Sequence, residues 1–227
     1  MEKLLYIIIT LVSGILLMIV HELVKNIVYY NIKKRDGAKV DKKIFYLWKY
    51  IDLVGLITTL AMYTPFSKQY RYTISNKKTA FWVGFTGLLS LIIIFLICII
   101  TLRCNFEDYI SATKLIDTHS IRYYSYLVLV NLSMLSMSML LVNIFPITCF
   151  DMGLLILGTN SKNRGSIVIF DGYLKLLFFF MTVLRVFLNA STIISNYAIS
   201  LFIWINRDLD SYIMIRILIL IKRLVYV

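Results

Sequence analysis

The chain has 227 residues, of which 60% are hydrophobic, and carries a formal net charge of +12. That apolar share lies above the roughly 45–50% of soluble domains and excludes an ordinary soluble fold. The positive charge sits in short stretches beside apolar runs, the pattern of cytoplasmic loops in an integral membrane protein, so the lipid bilayer is the expected partner and no nucleic acid is.

Three cysteines, Cys98, Cys104 and Cys149, show no Cys-x-x-Cys spacing and imply neither a disulfide framework nor a cysteine zinc site. The apolar N-terminus lacks a small-residue cleavage site and runs on through His21 and Glu22, so it is expected to be a retained span.

In chain order, Leu4 to Tyr30 is long enough to cross a hydrocarbon core of about 30 Å. Asn31 to Lys49 carries seven basic residues against Asp36 and Asp41 and is placed in the cytoplasm. Tyr50 to Pro65 is apolar but short, and both flanks are basic, so a re-entrant or interfacial segment is expected. Thr79 to Leu102 is the second full span, with Gly84 and Gly87 at a spacing that permits close helix approach.

Arg103 to Ser120 lacks a basic excess and is expected outside. Arg122 to Gly158 reads as a third span, interrupted at Asn143 and Pro146, because proline removes a backbone donor and breaks the helix. Thr159 to Gly172 returns to the cytoplasm. A further span is expected from about Arg185 to Ile205, after an interfacial stretch around Leu176 to Met181. Ser211 to Val227 is either a short span or an interfacial helix. The result is an all-α polytopic membrane protein of four to five spans and one re-entrant segment, with a core over residues 1–158 and membrane-associated helices over 159–227.

Ionisable residues within spans are functional-site candidates, because a charge near the bilayer centre costs about 2.5–3.5 kcal/mol on insertion scales. His21, Glu22 and Lys25 lie in the inner half of the first span. Asp151 lies in the inner half of the third, which is expected to run opposite to the first, so the two sets sit at comparable depth. His21 and Lys25 share a helix face, while Glu22 aligns with Asn26. Lys25 has two readings: an ammonium paired to Asp151 and Glu22, or a side chain that snorkels to the interface. His21 and Glu22 also read as plain polar residues at a helix interface.

Taken in order, His21-Glu22-Leu23-Val24-Lys25, Asn143-Ile144-Phe145-Pro146 and Asp151-Met152-Gly153 resemble the motifs of the site-2 protease family of intramembrane zinc metalloproteases, in its short prokaryotic branch. Lys34-Arg35-Asp36-Gly37 and Ile51-Asp52-Leu53-Val54-Gly55 are similar to that branch too. The resemblance covers about residues 1–158. It implies His21 and Asp151 as zinc ligands, Glu22 as general base, Asn143 as a residue that helps hold substrate or the site's geometry, and Pro146 and Gly153 as motif backbone.

The second ligand histidine is replaced by Lys25, whose ammonium has no lone pair for a metal. Met152 replaces the glycine after the aspartate, and the Gly-Pro of the second span is absent. Cys149 is a candidate third ligand, and His119 lies near the expected outer face.

The expected function is therefore a degenerate protease homologue that binds transmembrane segments or partner proteins, with Lys25 supplying the charge of the metal and no cofactor. One alternative is an active zinc protease that cleaves membrane proteins. The other is a membrane protein with no protease role, such as a transporter component, distinguished by whether Glu22, Lys25 and Asp151 converge. Asp52 and Gly55 read either as a turn at the membrane surface or as a substrate edge. By resemblance, the bacterial cytoplasmic membrane is the expected location.

Overall fold

The computed structural model describes residues 2–37, 42–68, 72, 77–104, 121–159 and 163–204. Over these residues the chain is mainly helical: α1 (Glu2–Arg35), α2 (Leu53–Met62), α3 (Lys77–Cys104), α4 (Ile121–Ile144), α5 (Asp151–Gly158), α6 (Asn163–Val183) and α7 (Val186–Trp204), with short 3-10 turns at Lys42–Phe45 and Leu47–Tyr50. No strand occurs among the described residues.

Helix α1 inverts the pattern of a soluble amphipathic helix. Its exposed positions are Leu4, Ile7, Ile8, Val12, Leu16 and Ile27, while its buried face holds Thr10, Ser13, His21, Glu22, Lys25 and Asn26. Such an arrangement is stable when the surrounding solvent is hydrocarbon and the polar groups meet partners inside the protein. Helices α1, α3 and α4 are each long and apolar enough to cross a membrane. In α4, 67% of the apolar window is buried, against 39% in α1 and 33% in α3, which makes α4 the central helix.

The packing fixes direction. Thr10 of α1 accepts a hydrogen bond from Asn131 of α4 at 3.1 Å. Further along, Leu17 packs with Leu135, Met139 and Leu140, and Lys25 reaches Asp151. Helices α1 and α4 therefore run parallel, which corrects the expectation of opposite directions: with α3 crossing between them, first and third spans traverse in the same sense. Helix α3 is antiparallel to α1, since Leu91 packs beside Leu17 and Val83 beside Tyr29.

The short segment after Tyr50 is a hairpin. The Asp52 carboxylate caps α2 by accepting from the Gly55 N–H at 2.9 Å, which stabilises a helix start by about 1 kcal/mol. The helix ends at Tyr63, in a left-handed conformation with φ 52°. The chain then returns as irregular backbone until the Lys68 N–H donates to the Tyr50 carbonyl at 3.1 Å, closing the hairpin mouth. At ten residues α2 is too short to cross a bilayer. The hairpin tip is held from both neighbours: the Tyr63 hydroxyl lies 3.2 Å from Thr10 Oγ1, and the Ser138 hydroxyl donates to the Tyr63 carbonyl at 2.5 Å.

The expected single span from Arg122 to Gly158 is two helices separated by residues 145–150. A 37-residue helix would be about 55 Å long, well beyond one bilayer core. Pro146 instead ends α4, and the chain turns through bonds from Phe145 N–H to Val142, Ile147 N–H to Phe145 and Phe150 N–H to Ile147. Gly153 is required by this break: a Cβ there would lie 1.9 Å from the Ile147 carbonyl oxygen.

Residues 163–172, expected within a cytoplasmic loop, belong to α6. Asp171 of that stretch pairs with Lys175 one turn on at 2.5 Å, so its charge sits on a helix and not in a loop. Helices α6 and α7 meet at a 64° bend around Leu184 and Arg185, the latter left-handed at φ 56°. Helix α7 coincides closely with the expected span from Arg185. With this bent pair left out or counted as one span, there are three to four candidate spans among the described residues. The segment 103–120, from Arg103 and Cys104 of α3 onward, has most of its length outside the described residues, and the tail 211–227 lies outside them entirely.

Candidate functional site

Helix periodicity places His21, Glu22, Lys25 and Asn26 on the inner face of α1, and all four are fully buried. Asp151, the first residue of α5 after the Pro146 break, is fully buried as well. Its approach depends on α3. A Cβ on Gly87 would lie 2.4 Å from Asp151 Oδ2, and a Cβ on Gly84 would lie 2.4 Å from the Asp151 carbonyl oxygen. The two glycines therefore form the surface against which α5 begins.

Lys25 joins the two carboxylates. Its Nζ donates to Glu22 Oε1 at 2.8 Å and lies 2.7 Å from Asp151 Oδ1. Full burial excludes the snorkelling reading of this side chain. Glu22 Oε1 also accepts from the Ser67 hydroxyl at 2.7 Å, tying the return strand of the hairpin to α1. Asn26, one turn below Glu22, accepts from the Tyr72 hydroxyl at 2.9 Å.

His21 bridges α1, α3 and α5. Nε2 lies 3.0 Å from Asp151 Oδ2 and 3.9 Å from Glu22 Oε1; Nδ1 lies 3.1 Å from Ser90 Oγ. The single hydroxyl hydrogen of Ser90 is directed to the Gly87 carbonyl at 2.7 Å. A carbonyl only accepts, so His21 Nδ1 is the donor to Ser90. Two buried carboxylates thus share one buried ammonium, with the His21 ring beside Asp151, and a buried charge group needs such pairing in a low-dielectric setting.

The donor set does not fit zinc. A catalytic site uses about three protein ligands with an open position, and His21 and Asp151 supply two while Lys25 supplies a cation. Among the described residues no group of three histidine, cysteine or carboxylate side chains has metal-holding geometry. Cys149 is exposed in the break and is no part of the cluster, and His119 lies outside the described residues.

Of the other expected site residues, Asn143 is buried and its amide donates to the Met139 carbonyl at 2.9 Å, within its own helix. Pro146 and Gly153 shape the break that delivers Asp151. Asp52 caps α2, in keeping with the turn reading. Sequence reasoning missed Ser67 and Ser90 as partners of the cluster. Ser90 had a signal: it follows Gly84 and Gly87 at steps of three, on the same small-residue face of α3.

Beside the cluster, an aromatic group closes the break. Phe178 of α6 packs against Phe66, Phe145, Phe150 and Phe187 with ring centroids 5.0–6.5 Å apart, and Asp171 Oδ1 accepts from the Thr148 N–H at 2.8 Å. Helix α6 is thus fastened over the loop that precedes Asp151.

Compared with family models, with curated proteins and with solved structures, this chain matches none.

Proposed function

We propose that this chain is a membrane-embedded, site-2-protease-like protein with a degenerate site, which binds transmembrane segments or partner proteins and does not hydrolyse them. The observation that carries the reading is the position of the Lys25 ammonium, buried between Glu22 and Asp151. The motif resemblance assigns these acids to a metal site, and here a covalently attached cation meets both. Lys25 sets a fixed positive charge against both carboxylates, where the family would place a metal. An ammonium has no vacant orbital with which to polarise a bound water into hydroxide, so the hydrolytic step assigned to Glu22 in the family lacks its nucleophile.

An active zinc metalloprotease is the alternative implied by the same motifs; it requires a third ligand that the described residues do not supply. A transporter component or other membrane protein with no protease role is the second alternative. Convergence of Glu22, Lys25 and Asp151 on one spot favours the site reading over that one.

The test is zinc per chain, measured by elemental analysis on protein purified in detergent without a histidine tag, for the native chain and Lys25→His. Zinc in the variant alone supports a fold that retains the outline of a metal site and has exchanged the metal for Lys25. Near-stoichiometric zinc in the native chain overturns the degenerate reading and restores the protease. Absence of zinc from both removes the support for a metal-site ancestry.

A further inference from the structure

We propose that the segment from Lys43 to Lys49, with Lys68 beside it, is a binding surface for anionic phospholipid headgroups at the bilayer surface. From sequence this region reads mainly as a basic, topology-signalling loop with Trp48 as an interface anchor, and contact with anionic lipid as a minor further reading. The structure adds a rigid arrangement of three different chemistries in layers.

The segment is anchored from beneath. Ile44 is fully buried in a cluster with Tyr29, Val83 and Leu154, and Tyr50, 1% exposed, donates its hydroxyl to the Ile44 carbonyl. Phe45 packs edge-on to Tyr30 at 5.4 Å. With Ile44 and Tyr50 pinned, Tyr46 and Trp48 between them stand out from the protein, 59% and 82% exposed. Such exposure of two large aromatics on a fixed turn is costly in water and favourable at the headgroup level of a membrane, where amphipathic rings concentrate.

The layers follow in order. The exposed face of α2, made of Leu53, Val54, Ile57 and Leu60, forms a stripe with helical spacing leading away from Trp48 and suited to hydrocarbon. Around the aromatics lie the lysines. Lys43, Lys49 and Lys68 are exposed; the hydrogen bond from Lys68 N–H to the Tyr50 carbonyl ties Lys68 to the residue that follows Lys49. Lys49 Nζ lies 5.5 Å from the Tyr46 ring centre, a cation–π contact that holds the ammonium at the level of the aromatic. The nearby Asp52 carboxylate is engaged as the cap of α2, accepting from the Gly55 N–H. Three cations over an aromatic belt, above an apolar stripe, complement a leaflet that carries negative headgroups, and zwitterionic headgroups offer them no net charge.

The experiment uses the full chain in lipid nanodiscs, with Trp82→Phe and Trp204→Phe so that Trp48 is the remaining tryptophan. Its fluorescence is quenched by brominated phosphatidylglycerol or by brominated phosphatidylcholine, each as a minor fraction of the same mixed bilayer. We expect quenching by the anionic lipid to exceed that by the zwitterionic one, since each lysine near such a surface enriches anionic lipid by up to roughly fivefold. The preference should fall in high salt and disappear in Lys43→Gln/Lys49→Gln/Lys68→Gln, while quenching by phosphatidylcholine persists and reports that Trp48 stays in place. Equal quenching by both lipids in the native sequence overturns headgroup recognition. Quenching by neither overturns the membrane placement of the segment itself. The result is independent of whether the buried cluster binds zinc.

Discussion

Removal of the Lys25 ammonium leaves Glu22 and Asp151 facing each other in a fully buried site with one positive partner fewer. Breaking a buried pair in this way costs about 3–5 kcal/mol. Lys25→Ala is therefore expected to lower the unfolding midpoint sharply in detergent titrations, and Asp151→Ala to do likewise. The combination Lys25→Met, Glu22→Gln and Asp151→Asn removes the charges together and should recover more than half of that loss. If both alanine variants unfold like the native chain, the ion cluster contributes nothing to folding and its role as a metal substitute fails.

Gly87 gives a second residue-scale prediction. A methyl group at this position would sit 2.4–2.7 Å from the Asp151 carboxylate, so Gly87→Ala should push α5 away from α3 and cost about 1–3 kcal/mol. The glycine spacing in α3 was legible as a close-approach signal, and the structure bears it out. What the spacing did not state is that the approaching group is a carboxylate.

At the scale of elements, the fastening of α6 to the break rests on the Asp171–Thr148 bond and the Phe178 ring contacts. Asp171→Ala frees the Thr148 N–H, and Phe178→Ala empties the centre of the aromatic group. Each is expected to raise amide hydrogen exchange at residues 147–150 while exchange in the middle of α4 stays slow. Uniform acceleration along α4 would mean that α6 supports the whole bundle and is no local fastening. The start of this element was misread from sequence, since residues 163–172 were expected in a cytoplasmic loop. The bond of Asp171 to Thr148, on a different element, gives an acid at that position in an apolar helix a partner.

Across the whole molecule, the directions of α1, α3 and α4 place Lys33 to Arg35, the hairpin mouth at Tyr50 and Lys68, and the start of α3 at Lys77 on one side. Single cysteines introduced near residues 34, 49 and 68, in a background without native cysteines, are expected to react with an impermeant maleimide from the same side of sealed vesicles. A cysteine near residue 68 that labels from the opposite side would show that the short segment crosses after all, against the hydrogen bond that joins its two ends. If the bent pair α6–α7 is one span, residues near 163 and 204 should label from opposite sides.

Membrane class, the three long spans, the short inserted segment and the break at Pro146 were determined by the sequence itself, because hydropathy, loop charge and proline chemistry act locally and accumulate along the chain. The same is true of the candidate residues: a histidine, two carboxylates and a lysine in apolar surroundings stand out wherever they fall. Tertiary structure decided who meets whom. Lys25 has the flexibility to snorkel or to pair, and the closeness of α5, allowed by Gly84, Gly87 and Gly153, turned it to Asp151. Ser67 and Ser90, ordinary residues in the linear pattern, became partners of Glu22 and His21 across 45 and 69 residues, since a buried polar group is satisfied by whatever donor or acceptor packing delivers to it, at any distance along the chain.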